Sequence, residues 1–178
     1  MRISYLTTFF LLNVIAQPSL AQTGPDEVLK IGSWSLECFA SEEQPQCQIY
    51  QRVEDADAGV VALAIAIAIL GDGTVQTEIA LPLGIRFSVP PELRVDEEVS
   101  VPLPVGTCVP EGCLVQGSLP SDILSAINDG ETASVVMQSA AGDVINIPFS
   151  ISSFSDAFDQ LVERAGALPE DPSNEAGS

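Results

Sequence analysis

One segment alternates so strictly between large and small apolar residues that it limits the folds open to this chain. From Val61 to Ile69 every second residue is an alanine, and the residues between are valine, leucine or isoleucine. Successive side chains of a β-strand point to opposite faces of a sheet, so this period of two, with its β-branched residues, predicts a strand rather than a helix. The small alanine face permits the close approach of a helix, another sheet or a second subunit, and we expect it to be covered.

The register of the next hairpin can be argued from the side chains. Gly71-Asp72-Gly73 turns the chain into a second alternating segment, Thr74–Leu81. A two-residue loop would set large residues of one strand opposite alanines of the other. A three-residue loop, residues 71–73, sets Ile69 opposite Val75 and keeps the large apolar residues together. We therefore predict the three-residue loop, with Gly73 supplying its left-handed residue.

The remaining patterns indicate short strands and two helices. Further strands are predicted over Ser33–Phe39, Cys47–Val53, Leu114–Leu119, Thr132–Gln138 and Val144–Ile151. Helices are predicted over Pro120–Asp129 and Ser153–Ala165, the second with Phe154, Phe158, Leu161 and Val162 on one apolar side. Prolines interrupt residues 82–104, so any strands there are expected at sheet edges. Together these patterns predict an all-β fold, an antiparallel β-sandwich with two short helices, one of them C-terminal.

The N-terminal residues are typical of a secretory signal. Arg2 precedes an apolar run over Leu6–Ala16, and small Ser19 and Ala21 occupy the positions that a signal peptidase requires. The run is shorter than the ~20 residues of a membrane span. We predict a signal peptide over residues 1–21, a β-sandwich domain over 22–165 and a disordered acidic tail over 166–178. No later apolar run is long enough for a helical span, so we expect none in the mature chain.

Charge excludes one large class of partner. All 25 acidic residues and five of the six basic residues lie after residue 21, which gives the predicted mature chain a net charge of −20. Nucleic-acid binding depends on lysine and arginine neutralising phosphates, so we exclude it. The acids are scattered along the chain, which indicates a soluble surface more than a site for a cationic partner.

Four cysteines in an exported chain predict two disulfide bonds. The spacing favours two local bridges, Cys38–Cys47 across one hairpin and Cys108–Cys113 around a short loop. The alternative is a zinc site, but these spacings do not match a zinc ribbon and the chain has no histidine. We therefore expect structural disulfides and no bound metal.

The residues needed for common catalytic chemistry are missing. Without histidine the chain cannot form a Ser-His-Asp triad or a Cys-His pair, and Lys30 is its only lysine. The glycine-rich motifs that bind nucleotides are also absent. Paired carboxylates could serve a glycosidase, but among 25 acids some close pair is inevitable. We predict a protein that is not an enzyme and uses no cofactor.

Three residues could still bind a ligand. Arg86 and Arg94 flank a rigid Pro90-Pro91 pair and could clamp an anionic group, which would suit a periplasmic small-ligand-binding protein. The alternative, which we favour, is that they neutralise nearby acids such as Glu92. Trp34 could stack on a sugar ring, but a lone tryptophan on an alternating strand is more often part of the core.

Several of these features occur in a familiar order. Trp34-x3-Cys38 is followed by Cys47, then by Leu81-Pro82-Leu83-Gly84, then by Cys108-x3-Gly112-Cys113 and a closing helix. This order resembles the bacterial invasion-associated locus B family, over about residues 30–164.

The resemblance implies a β-sandwich protein of the periplasm, or one associated with the outer membrane or secreted. Pathogenic members are linked to entry into host cells, and the implied partner is an unknown envelope or cell-surface protein. No catalytic residues are defined for the family. Members from host-associated bacteria are often basic, and this chain departs from them in its acidity, which favours a general envelope role.

Overall fold

The computed structural model describes residues 24–40, 46–56, 59–96 and 98–166. The predicted signal peptide and almost all of the predicted tail lie outside these residues. The strands are β1 (Glu27–Ile31), β2 (Trp34–Phe39), β3 (Gln46–Asp55), β4 (Val60–Ile69), β5 (Val75–Leu81), β6 (Glu92–Val95), β7 (Val99–Pro102), β8 (Thr107–Val109), β9 (Gly112–Ser118), β10 (Ala133–Gln138) and β11 (Val144–Phe149). The helices are α1 (Ser121–Asp129) and α2 (Phe154–Gly166).

The strands form two antiparallel sheets. The larger has seven strands in the order β1-β2-β3-β4-β5-β9-β8, and the smaller has four in the order β11-β10-β6-β7. Large apolar side chains from both sheets and both helices share one buried core. The predicted all-β fold, with two sheets and two helices of which one is C-terminal, is confirmed.

The alternating segment forms β4, the fourth strand of the seven-stranded sheet. Its large residues, such as Ile65 and Ile67, are buried in the core, while its alanines stay partly exposed on the outer face. The ladder with β5 pairs Ile69 with Val75, and Gly73 has a φ of 83°. The predicted three-residue loop and its register are therefore confirmed.

The closing helix packs against the inner face of this sheet. The ring of Phe154 meets the ring of buried Trp34 edge-on, with 5.3 Å between centroids. Ala157 and Leu161 are buried beside Phe154, but Val162 is 46% exposed. The prediction that Val162 joins the apolar side was wrong, because it lies about 100° around the helix from Leu161. Small Ala157 holds the sheet-facing position instead.

The alanine face is not covered by this helix. Ala64, Ala66 and Ala68 of β4 point away from the side on which α2 packs, and all three are partly exposed. The large-residue face of β4 is therefore covered by other described residues. Its alanine face remains partly exposed to solvent.

The prediction of edge strands in the proline-rich region was only partly right. β7 does lie at a sheet edge, but β6 lies between β10 and β7. Pro91 lies immediately before β6, and residues 92–95 contain no proline. Every N–H of the strand thus remains able to join a ladder, which is the condition that proline breaks.

Candidate functional site

The four cysteines lie in two pairs at disulfide-bonding distance. The two sulfurs are 2.09 Å apart in Cys38–Cys47 and 2.06 Å apart in Cys108–Cys113. In each pair the residues stand directly opposite one another, across β2–β3 in the first and β8–β9 in the second. These are the pairs that the spacing favours, and each fastens one hairpin of the seven-stranded sheet.

Trp34 belongs to the core. Its side chain is 1% exposed, and Nε1 donates a hydrogen bond to the carbonyl oxygen of Ser150 at 3.1 Å. Its ring is covered by Phe154. A ring in this position has no free face for a sugar, so Trp34 is not a carbohydrate-binding residue.

Four carboxyl groups have pKa values below their ordinary range because each accepts hydrogen bonds from a neighbour. They are Glu27 with Arg164, Asp72 with Thr74, Glu92 with Arg94, and Asp96 with Thr132. The general acid of a glycosidase needs the opposite shift, a carboxyl whose pKa is raised by burial or by a second carboxylate. These four groups are therefore suited to structural hydrogen bonding and not to proton donation.

In the part of the chain that the structure describes, no three histidine, cysteine, aspartate or glutamate side chains are grouped so as to hold a metal ion. Within the same residues, no helix combines the length and the apolar character needed to cross a membrane.

Arg86 and Arg94, the candidate ligand-binding residues, are not brought together. Arg94 lies in β6 opposite Ser134 of β10. The backbone N–H of Arg86 donates to the carbonyl of Gln138, four residues farther along β10. At roughly 3.3 Å per residue the two positions are about 13 Å apart along the strand. They are placed as two separate cations and not as one clamp, and their ligand-binding role stays a prediction.

Arg94 is neutralised by a neighbour. Its Nη2 and Nε donate to Glu92 Oε2 at 2.8 and 3.1 Å, and the hydroxyl of Ser100 donates to the same oxygen at 3.2 Å. This arrangement is the acid-neutralising alternative that the sequence favours. Arg94 therefore offers little unpaired charge to a ligand.

Arg86 is different. Its Nη2 donates to the backbone carbonyl of Ala140 at 3.1 Å, which is an uncharged acceptor. Ion pairs in the described residues join Arg52 to Glu54, Arg94 to Glu92 and Arg164 to Glu27. Among the arginines of those residues, Arg86 alone forms no ion pair.

Arg86 lies in an exposed apolar loop that the sequence did not single out. Leu83 is 55% exposed, Phe87 61% and Val89 39%. On β11, which lies beyond β10 from this loop, Val144 is 69% exposed. We call these four side chains together with Arg86 the Phe87 patch.

The loop is anchored at both ends. Ile85 is buried and forms a β-bridge with Ser139, and Pro91 is fully buried. Between them the N–H of Val89 donates to the carbonyl of Arg86 at 3.4 Å, which closes a turn with Phe87 near its tip. Phe87 and Val89 are therefore presented between two buried anchors.

Val144 lies on the same side of the sheet as Arg86. Gln138 of β10 stands between them, because it pairs with Val144 on one side and accepts the N–H of Arg86 on the other. Two strand spacings separate Val144 from Arg86, which is roughly 10 Å. One partner surface can therefore contact Arg86 and Val144 together, and Phe87 follows Arg86 directly in the chain.

Comparisons with known proteins agree on one family. The sequence profile of the invasion associated locus B (IalB) protein matches residues 34–162. Invasion protein B of Bartonella bacilliformis is 31% identical over 135 residues, which are 73% of this chain and 72% of that protein. An invasion protein B homolog of Brucella abortus is 22% identical over 129 residues, 72% of this chain and 75% of that protein.

A solved structure is also similar. The crystal structure of invasion associated protein B from Bartonella henselae superposes with a TM-score of 0.71 at 26% sequence identity. The match covers 78% of this chain and 96% of that chain. This chain belongs to the invasion associated locus B family.

Proposed function

We propose that this protein is an exported, non-enzymatic interaction module of the bacterial cell envelope, and that it docks on an envelope or cell-surface protein through the Phe87 patch. The observation that carries the proposal is the exposure of Leu83, Phe87 and Val89 on a loop held by buried anchors. A contiguous patch of large apolar side chains on a protein surface is typical of an interaction site, whereas exposed apolar residues scattered singly are not.

The make-up of the patch suits a protein–protein contact. Aromatic and arginine side chains supply most of the binding energy at such interfaces, and Phe87 stands next to Arg86 in this loop. A loop already fixed by Ile85 and Pro91 loses little conformational entropy on binding. The patch thus combines apolar area, a charged donor and rigidity.

The non-enzymatic part of the proposal is supported by residue chemistry. The chain has no histidine, and the carboxyls with shifted pKa values favour the ionised form. The similar proteins are named as invasion proteins and not as enzymes. Together these facts favour binding over catalysis.

The exported part is supported by the signal-like N-terminus and by the paired cysteines, because disulfides persist in oxidising compartments. Fractionation of the native host, followed by N-terminal sequencing, tests it. We expect a periplasmic or outer-membrane-associated protein that begins at Gln22. A cytoplasmic protein that retains residues 1–21 would overturn this part.

Docking is tested by photocrosslinking in the native envelope. The full chain carries p-benzoyl-phenylalanine in place of Val144, and adducts are compared with and without Phe87→Ser. The matched control is Val60→Ser, because Val60 is 56% exposed but lies on the other sheet. We expect a discrete adduct that Phe87→Ser removes and Val60→Ser leaves. No adduct, or one that is indifferent to Phe87, would refute docking at this patch.

A further inference from the structure

The distribution of ion pairs singles out Arg86. The chain has 25 acidic and six basic residues, so an arginine on its surface has many potential acidic neighbours. Arg52 lies 3.0 Å from a Glu54 oxygen and Arg94 lies 2.8 Å from a Glu92 oxygen. Arg86 forms no such pair with any described residue and binds only the Ala140 carbonyl through its side chain. Among the basic side chains of the described residues, Arg86 and Lys30 are the two without an ion pair.

The nearest turn holds an acid that does not pair with Arg86. Asp143 lies in the β10–β11 turn that also holds Ala140, so it is the acid best placed along the chain to reach Arg86. Asp143 instead accepts a hydrogen bond from the Ser139 hydroxyl at 3.4 Å, and its N–H donates to the same hydroxyl at 3.1 Å. Its carboxylate is thereby occupied within the turn.

The guanidinium also lies close against the glycine of this turn. A Cβ at Gly142 would lie 3.3 Å from Arg86 Nη2, and this glycine has a φ of 102° that other residues rarely adopt. The glycine therefore keeps a side chain off the guanidinium. A guanidinium has five N–H donors in a planar fork, and the carbonyl of Ala140 takes one of them.

The outward strand positions around Arg86 carry a single acidic residue. Glu92 is the one acid at the outward positions of β6, β7, β10 and β11, and Arg94 neutralises it. Arg86 extends this face beyond the end of β6, where it adds an uncompensated positive charge. In a chain of formal net charge −19, the outward positions of these four strands thus carry no unpaired acid.

We infer that the partner protein docks with an apolar segment that carries one carboxylate, and that Arg86 binds this carboxylate while Phe87, Leu83 and Val144 contact the apolar residues around it. The inference rests on the proposed function and names the chemistry of the partner. A carboxylate matches the planar fork of arginine with two parallel hydrogen bonds. The neighbouring apolar side chains require a partner that is apolar at the same place.

Other anionic partners fit less well. A membrane or a polyphosphate presents many negative charges, and a chain of net charge −19 with one unpaired arginine is repelled by them. An acidic polysaccharide offers carboxylates but little apolar surface to cover Phe87, which is 61% exposed. A single carboxylate on an apolar protein segment satisfies both halves of the patch.

The experiment uses the full chain with p-benzoyl-phenylalanine in place of Val144, crosslinked in the native envelope. Arg86→Glu should lower the yield of the adduct by about tenfold or more, because removal of one member of a desolvated charge pair leaves the other unpaired. The control, Arg52→Glu, makes the same charge change on the other sheet and should leave the yield unchanged. Arg86→Gln, which keeps a donor for Ala140, should also lose the adduct, and thermal unfolding verifies that each variant is folded.

The partner's side of the contact is then identified. Mass spectrometry of the adduct should place an aspartate or glutamate among apolar residues in the crosslinked segment. Changing that acid to lysine should restore crosslinking to Arg86→Glu. A segment without an acid, or an adduct that survives both Arg86 variants, would overturn the inference. If Phe87→Ser removes the adduct while the Arg86 variants keep it, docking at the patch stands and the carboxylate is wrong; if none of them changes it, both fall.

Discussion

The side chain of Gln51 and the backbone of Ser150 hydrogen-bond to each other in both directions. Gln51 Nε2 donates to the Ser150 carbonyl at 2.9 Å, and the Ser150 N–H donates to Gln51 Oε1 at 3.0 Å. Trp34 Nε1 donates to the same carbonyl at 3.1 Å. Because Gln51 lies in β3 and Ser150 directly follows β11, these bonds tie the end of the four-stranded sheet to the inner face of the seven-stranded sheet.

Removal of the Gln51 amide should destabilise the fold. Gln51 is 4% exposed, so Gln51→Leu leaves the partly buried N–H of Ser150 without an acceptor. We expect the free energy of unfolding, measured by urea titration, to fall by about 2 kcal/mol. Gln116→Leu is the control, because Gln116 is exposed on β9, and its effect should stay within about 0.5 kcal/mol. Equal effects for both variants would contradict a tie between the sheets at this point.

The same substitution at two phenylalanines should lower the free energy of unfolding by very different amounts. Phe154 is 1% exposed and contacts Trp34, so Phe154→Ala should cost about 3–5 kcal/mol of unfolding free energy. Phe87 is 61% exposed, so Phe87→Ala should cost less than about 0.5 kcal/mol. Urea titration of both variants measures the difference. A large decrease in unfolding free energy for Phe87→Ala would show that the fold needs this side chain, and it would contradict a role for Phe87 in binding a partner.

Peptide mapping of the non-reduced mature protein tests the cysteine pairs. We expect Cys38 linked to Cys47 and Cys108 linked to Cys113, because the members of each pair stand opposite one another in a hairpin ladder. No free thiol should be detected. A peptide that links Cys38 to Cys108 would contradict both hairpins at once.

The contact between Glu27 and Arg164 should make stability depend on pH. The guanidinium donates from Nη1 to Glu27 Oε2 at 2.8 Å, and its hydrogen bonds hold the pKa of Glu27 below 4.5. A carboxyl with a lowered pKa in the folded state stabilises the fold above its unfolded pKa, and the contribution is lost as the pH falls through the lowered value. Arg164→Gln should therefore lower the melting temperature at neutral pH, and the difference from the unchanged protein should fade on acidification below 4.5. With Glu27→Gln already present, the effect of Arg164→Gln should not depend on pH. In the protein that keeps Glu27, an effect of Arg164→Gln that is constant with pH would argue against the pair.

Regular alternation made much of the fold predictable. The spacing of large residues and alanines in β4 was enough to derive the strand, its inner face and the pairing of Ile69 with Val75. Those inferences succeeded because a one-residue change of register would move every large side chain to the wrong face. The placement of Val162 failed because the sheet contacts a narrower side of α2 than the apolar residues span.

The Phe87 patch could not be derived in the same way. Leu83, Ile85, Phe87 and Val89 alternate with other residues, so an extended strand would point all four side chains to one face. Gly84 has a φ of 82° and the chain turns between Arg86 and Val89, which leaves Ile85 buried and the other three exposed. The lack of an acidic partner for Arg86 also depends on tertiary contacts. The β10–β11 turn brings the carbonyl of Ala140 to Arg86, while Asp143 of the same turn bonds to Ser139.

Titration of labelled mature protein onto envelopes isolated from the native host measures docking through the Phe87 patch. We expect saturable binding that is weakened about tenfold or more by Phe87→Ser, as expected for a central aromatic contact. Val60→Ser, which removes a similarly exposed apolar side chain from the other sheet, should bind like the unchanged protein. Identical binding curves for all three proteins, or binding that never saturates, would rule out specific docking through Phe87.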